Sequence, residues 1–312
     1  MFRFTMPDNT LGYSDRLSQL REQTGALTGE VALSEIFSLL RVDRDELSEV
    51  YNGRRRPGGR VLETQALSSK NELEGIRYEL YPLFRELGFI DINKPQSTEH
   101  THILVLGGAL NATYLRTQAA AKLAAPGTRF IDGLSCFRPI NPIERSASAF
   151  PFAGDTEFGA MSEAFASVFM LPGWKDEFSG DRNLNLISCI RSSRGAADGR
   201  EYRIFAAPSA QPELRRADTG DSFLFFMEHT ELSPDDRLLA VTNNLFCNRQ
   251  FLQLAYCLLK KQSRAQLDIV GCLPDESVTT PDSYDPFRYI QELIALLSWI
   301  DRFDKDFERT RI

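Results

Sequence analysis

Three groups of polar residues in this chain each follow a short apolar run, and together they have the chemistry to hold an anionic small molecule. After "ILVL" come Gly107, Gly108, Asn111, Thr113 and Arg116; after "RFI" come Asp132, Gly133, Ser135 and Arg138; after "LLAV" come Thr242, Asn243, Asn244, Asn248 and Arg249. Backbone N–H groups at a glycine turn, guanidinium forks and side-chain amides are the groups that bind phosphates and carboxylates. "DTEFGAMSEAFASVF" adds Asp155 and Glu157 at a helix start. Glu157 and Asp132 are the carboxylates read as catalytic, Glu157 as general base or hydroxyl acceptor.

Each group also has a plain structural explanation. "GGALNA" lacks the third glycine of a dinucleotide fingerprint, and no Gly-Lys-Ser/Thr follows to make a P-loop, so the pair could simply serve a tight turn. Asn243 or Asn244 could cap the helix that follows, and Asp155 and Glu157 would be favoured at a helix start by the dipole alone. Arg249 is the oddity: a cation in a first helical turn opposes the dipole, so it points to solvent or meets an anion. Arg145 reads as a solvated surface residue. The three histidines are not spaced as metal ligands, and no metal site is read.

The elements that must position these residues follow from periodicity. Strands are expected at Ile103–Leu106, Arg129–Asp132, Leu184–Ile190, Tyr202–Ala206, Leu238–Thr242 and Leu267–Gly271. Helices are expected near 113–125, 156–170, 219–229, 247–262 and 286–308. Strands apolar on both faces and separated by helices imply a mostly parallel sheet of five or six strands covered on both sides, an α/β, Rossmann-like layout. In such a sheet ligands sit beyond the carboxyl ends of the strands, where the three polar groups fall. Ahead of it, residues 1–95 read as a helical region. Leu33, Ile36, Phe37 and Leu40 share one helix face, Asp43 is a candidate N-cap, and Asn52-Gly53 and Gly88 are candidate stops. Residues 101–312 then form the α/β domain.

"ILVLGG", Thr113 and Arg116, the acidic "DTE" before a helix and "LLAVTNNLFCNRQFLQLA" resemble the YdcF-like (SanA/ElyC) family over roughly residues 101–272. The resemblance implies a Rossmann-like sheet with a small-molecule cleft that takes S-adenosylmethionine or another nucleotide-like ligand. This chain departs from the family pattern in two places: "NNLFCN" stands where the family has a histidine, and Ala109 replaces its third glycine.

Composition narrows the partners. A 312-residue chain that is 42% hydrophobic has material for a sizeable core, and its 22 phenylalanines read as part of that core. The net charge of −7 argues against general binding to nucleic acid or a membrane surface, and no run is apolar for long enough to span a bilayer. Five widely spaced cysteines suggest neither a disulfide framework nor a zinc knuckle, so the cytoplasm is the expected location. A homo-oligomer is compatible with all of this. "LSEIFSLLRVDRDELSEVYNGRRRP" resembles a helix-turn-helix, but Asp43, Asp45, Glu46 and Glu49 on its second helix would repel phosphates. The expected function is binding of an anionic, nucleotide-like or S-adenosylmethionine-like small molecule, by a transferase or hydrolase. The alternative is a non-enzymatic regulator whose N-terminal helices contact a partner.

Overall fold

A computed structural model describes residues 2–51, 71–146, 148–180, 183–195, 198–272 and 285–310. The Asn52-Gly53 stop and the Arg54–Arg56 run of the sequence reading lie outside the described residues. The N-terminal part is helical: α1 (Tyr13–Thr28), α2 (Val31–Leu40), α3 (Arg44–Tyr51) and α4 (Arg77–Glu86). Asp43 caps α3 as expected. Its Oδ1 accepts from Glu46 N at 2.8 Å while Glu46 Oε2 accepts from Asp43 N at 3.0 Å, a reciprocal capping box. Gly88 stops α4 with φ +77°, and a Cβ there would lie 2.1 Å from the Phe2 carbonyl oxygen.

The sheet begins at β1 (His102–Leu106), followed by α5 (Leu110–Leu123), β2 (Phe130–Ser135), α6 (Pro142–Ser146), α7 (Glu157–Phe169), β3 (Lys175–Ser179), β4 (Ser188–Arg194) and β5 (Glu201–Ala206). Next come α8 (Thr219–Glu228), β6 (Arg237–Asn243), α9 (Cys247–Lys260), β7 (Gln266–Cys272) and α10 (Pro286–Thr310). The strand order is β3-β4-β5-β2-β1-β6-β7. Five strands, β5-β2-β1-β6-β7, run parallel, and β4 and β3 extend the β5 edge antiparallel. Counting only the parallel strands in chain order, the arrangement is 3-2-1-4-5, the Rossmann-like order, with the reversal of direction between β1 and β6. The chain is therefore α/β with a mostly parallel sheet. Among the described residues no helix is long and apolar enough to cross a membrane.

Strand alternation decides what each face carries. Ile103 and Val105 point to the layer of α5 and α7, where they join Ile131, Met161, Phe165 and Val241. Leu104 and Leu106 point to the other layer, where they join α8, α9 and α10. The N-terminal helices have no separate core: Leu20, Ile36 and Phe84 belong to the same apolar cluster as Leu254 of α9 and Ile300 of α10. Phe4 lies parallel to Phe251 of α9, with ring centroids 6.4 Å apart.

Three strands differ from expectation. β2 runs on through Gly133 because a Cβ at that position would lie 2.3 Å from Met161 Sδ; the glycine admits α7 onto the sheet rather than ending the strand. β3 was not expected, since all five residues of "KDEFS" are exposed and carry no apolar alternation. The strand expected at 184–190 is β4, shifted forward, and Leu184 and Leu186 are partly exposed ahead of it.

The extension of β2 relocates Asp132. Instead of standing at a strand end, it is fully buried in mid-strand, with Oδ2 2.9 Å from His102 Nδ1 and Oδ1 accepting from Arg203 Nε at 2.7 Å. Burial alone would raise its pKa, but Arg203 and the His102 hydrogen bond outweigh it and hold the carboxyl below its ordinary value. Such a group stabilises the fold at neutral pH, and the contribution fades as pH falls from the unfolded-state value, about 3.9, through the lower folded value. Asp132→Asn is expected to cost about 3 kcal/mol at pH 7, because it leaves Arg203 without its carboxylate. It should also flatten the acid limb of stability. Urea unfolding of both proteins between pH 6 and pH 3 checks this: parallel acid limbs would show that the network does not carry the dependence.

Candidate functional site

Where the sheet reverses, the ends of β1, β2 and β6 meet the start of α5. Gly107 N donates to Leu134 O at 2.8 Å, which extends the β1–β2 pairing past the strand end. Neither Gly107 nor Gly108 has positive φ. What requires a glycine at 107 is close approach: a Cβ would lie 2.3 Å from Glu157 Oε1 and 2.8 Å from Leu134 O. At 108 the nearest atom would be Arg116 Nη1 at 3.0 Å. The backbone here is partly exposed, and α5 begins behind it with Ala109 as N-cap and no capping side chain. That helix start therefore leaves first-turn N–H groups without a side-chain cap, at the carboxyl ends of the strands, where sheets of this order bind ligands.

Arg116 and Thr113 of α5 fold back beneath this turn. Arg116 is 1% exposed and donates through Nη1 to the carbonyls of Leu106 and Gly107, both at 2.6 Å, and through Nε to Asn243 Oδ1 at 2.8 Å. It ties the end of β1 to the end of β6 at the point where the two connections diverge. Thr113 Oγ1 donates to Gly108 O at 3.3 Å.

Arg138, just beyond β2, is the centre of a second buried cluster. Its Nε donates to Glu157 Oε2 at 3.0 Å, and its Nη1 and Nη2 hold Glu144 Oε1 and Oε2 at 2.7 and 3.2 Å. Nη2 also donates to Gly108 O at 3.1 Å, which connects this cluster to the glycine turn. The two carboxylates hold the guanidinium charged more firmly than usual, against the opposing effect of burial. Glu157 is the first residue of α7, whose N-cap is Thr156, with its hydroxyl accepting from Gly159 N at 3.2 Å; Asp155 is exposed and is not the cap. Cys136 Sγ lies 3.9 Å from Glu157 Oε1. Burial, reinforced by that carboxylate, pushes its thiol up to about 12, so it is protonated at neutral pH and is no thiolate nucleophile.

The structure brings Gly107, Gly108, Thr113, Arg116, Arg138, Glu157 and Asn243 together. It draws five other expected residues into internal contacts. Thr242 Oγ1 donates to Gln250 Oε1. Asn248 Nδ2 donates to Leu87 O at 2.8 Å. Of the two outcomes open for Arg249, solvent or an anion, the structure shows the second, and the anion is Glu292 of α10, 2.5 Å from Nε. Asn111 Oδ1 accepts from Ser148 Oγ at 3.1 Å and from Ala149 N at 3.0 Å. Asn244 is no helix cap: its Nδ2 donates to the carbonyls of Phe89, Ile90 and Asp91, and its Oδ1 accepts from Asn93 N at 2.8 Å. Asn244 and Asn248 thus clamp the connection behind α4 to the β6 end.

Glu144 is the site residue that sequence reasoning passed over. It sits in "INPIERS", next to Arg145, which drew attention as a cation. The available signal was a proline opening a helical turn with a carboxylate two residues later. Arg145 is exposed yet structural: it donates to the carbonyls of Phe152 and Gly154 at 2.8 and 2.7 Å.

Comparison of the chain with protein-family models, curated proteins and solved structures finds no match in any of the three.

Proposed function

We propose that this protein binds an anionic, nucleotide-like small molecule at the crevice where β1, β2 and β6 end. One observation carries the reading: at the strand-order reversal, a partly exposed glycine turn opens onto the uncapped start of α5, with the Arg116 and Arg138 guanidinium groups directly beside it. A helix start of this kind favours negative charge through its N–H groups and its dipole, and guanidinium groups add charge-assisted donors. The resemblance to the YdcF-like family supports the same cleft and extends the ligand class to S-adenosylmethionine. If the ligand is also a substrate, Glu157 is the carboxylate that would act as general base, in a transfer or hydrolysis reaction. Its Oε1, toward Gly107, has the weak 3.9 Å contact with Cys136, while Oε2 is committed to Arg138.

A second reading, a regulator, is favoured by α2 and α3. They are joined by a short turn that carries Arg41 in the left-handed region at φ 53°, close to helix-turn-helix spacing. Asp45 and Glu46 are exposed on α3, which favours a protein partner over DNA.

The test is thermal unfolding with ADP, S-adenosylmethionine and adenosine in turn. A ligand at a hundredfold excess over its Kd adds about 2.7 kcal/mol to stability, so at least one of the charged compounds should raise Tm. No shift with either charged compound would overturn the reading.

A further inference from the structure

The chain between β2 and α7, residues 139–146 and 148–156, forms a loop closed at its neck. Pro139 and Thr156 make an isolated antiparallel bridge, and Ile140 N donates to Asp155 O at 2.9 Å. Arg145 ties the interior through the Phe152 and Gly154 carbonyls. The loop is latched to the first turns of α5: Asn111 holds Ser148 and Ala149, Phe150 stacks on Tyr114 with ring centroids 3.8 Å apart, and Phe152 meets the same Tyr114 ring edge-on at 6.4 Å. A further tie runs to α7, where Glu163 accepts from Ala153 N at 2.9 Å and from Gly154 N at 2.6 Å, so the loop is held on two helices rather than on the sheet.

From this loop Glu144 reaches inward. Its carboxylate, 2% exposed, takes the paired Nη donors of Arg138, while Glu157 takes Nε. The fork geometry is the one a guanidinium offers to any planar or tetrahedral anion. Arg116 and Arg138 balance Glu144 and Glu157 in charge. With Glu144 withdrawn, the same crevice would carry net positive charge beside an uncapped helix start, the electrostatics that a phosphate requires.

We infer that the Arg138 face now held by Glu144 is a phosphate subsite, and that Glu144 is its built-in competitor. The phosphoryl group of an incoming ligand takes the two Nη donors, and the loop moves outward with Glu144. This deepens the reading above and rests on it. Two consequences follow. Affinity is reduced by the fraction of time Glu144 occupies Arg138. Ligands without a strongly charged group at that position cannot displace a bidentate carboxylate, so Glu144 acts as a filter for phosphates.

The experiment is isothermal titration of the full chain with ADP, pyrophosphate, S-adenosylmethionine and adenosine. It compares the wild type with Glu144→Gln, which keeps the shape and removes the charge, and with Phe150→Ala, which loosens the latch and leaves Arg138 and Glu144 in place. Glu144→Gln is expected to bind ADP and pyrophosphate about tenfold more tightly or better, and Phe150→Ala more tightly by a smaller factor, with adenosine unchanged. Folding of each variant is checked by circular dichroism, and if Glu144→Gln does not fold, Phe150→Ala decides the matter alone. A folded variant that binds ADP no better than the wild type overturns the subsite, as does an equal gain for adenosine, which would mark general loosening. Binding of S-adenosylmethionine by proteins that ignore ADP and pyrophosphate overturns the phosphate subsite and leaves the binding crevice standing. No binding by any protein overturns both.

Discussion

Replacing Gly107 by alanine is expected to destabilise the protein by about 3 to 5 kcal/mol, whereas the same change at Gly108 costs about 1 kcal/mol. The difference comes from what a methyl group would meet. At 107 the new atom would sit 2.3 Å from Glu157 Oε1 and 2.8 Å from the carbonyl oxygen of Leu134. The carbonyl is backbone at the end of a buried strand and cannot retreat without losing its hydrogen bond from Gly107 N. The carboxylate is pinned by Arg138, so moving it breaks a buried ion pair. At 108 the neighbour is the guanidinium of Arg116 at 3.0 Å, the far end of a long side chain, which needs to give by only a few tenths of an ångström. Because neither glycine has positive φ, backbone strain contributes to neither cost. Urea unfolding of the two variants separates the cases. Equal losses, or a Gly107→Ala protein as stable as the wild type, would show that close approach does not explain the glycine pair.

How far the sequence reveals this arrangement depends on the range of each interaction. Apolar runs followed by amphipathic stretches locate β1, β5, β6 and β7 and the helices after them, because strand burial and helix periodicity are local signals. Asp43 and Gly88 are legible for the same reason: a cap and a stop act within a few residues. Long-range partners leave no such mark. Asn244 looked like a cap, and its actual partners are carbonyls at 89–91, on a segment about 150 residues earlier. Arg249 is a second case. Its conflict with the helix dipole left two outcomes open, solvent or an anion, and nothing near it in sequence pointed to Glu292 on α10, the anion it meets. Asp132 was misplaced because Gly133 read as a loop residue, when the glycine was there for Met161. The glycine turn and its arginines were legible as a group, since all of them follow strand ends. The loop that carries Glu144 was not, because its fold comes from a bridge between residues 139 and 156 and from contacts with α5.

Arg116→Ala is expected to cost about 4 kcal/mol or more, and Arg116→Lys to recover less than half of that loss. Arg116 serves acceptors on both sides of the reversal: the Leu106 and Gly107 carbonyls at and just past the end of β1, and Asn243 Oδ1 at the end of β6. At a parallel sheet's reversal the connections leave to opposite faces, so no further backbone pairing closes the gap between the two strand ends. Truncation to alanine leaves buried acceptors without these donors, at about 1 to 3 kcal/mol each, together with the cavity left by a side chain that is 1% exposed. A lysine could place one ammonium near the β1 carbonyls, but it has no second nitrogen set back along the chain to reach Asn243 as Nε does. For holding the two strand ends, the guanidinium is required because it spans two directions at once, which an equally charged ammonium does not. A double-mutant cycle isolates that span: Arg116→Lys and Asn243→Ala, measured singly and together by urea unfolding, should be clearly less than additive, since lysine has already lost the contact with Asn243. Strict additivity would mean that the β1 and β6 ends are held together by something other than Arg116, and the crevice between them would then owe its shape to the helices alone.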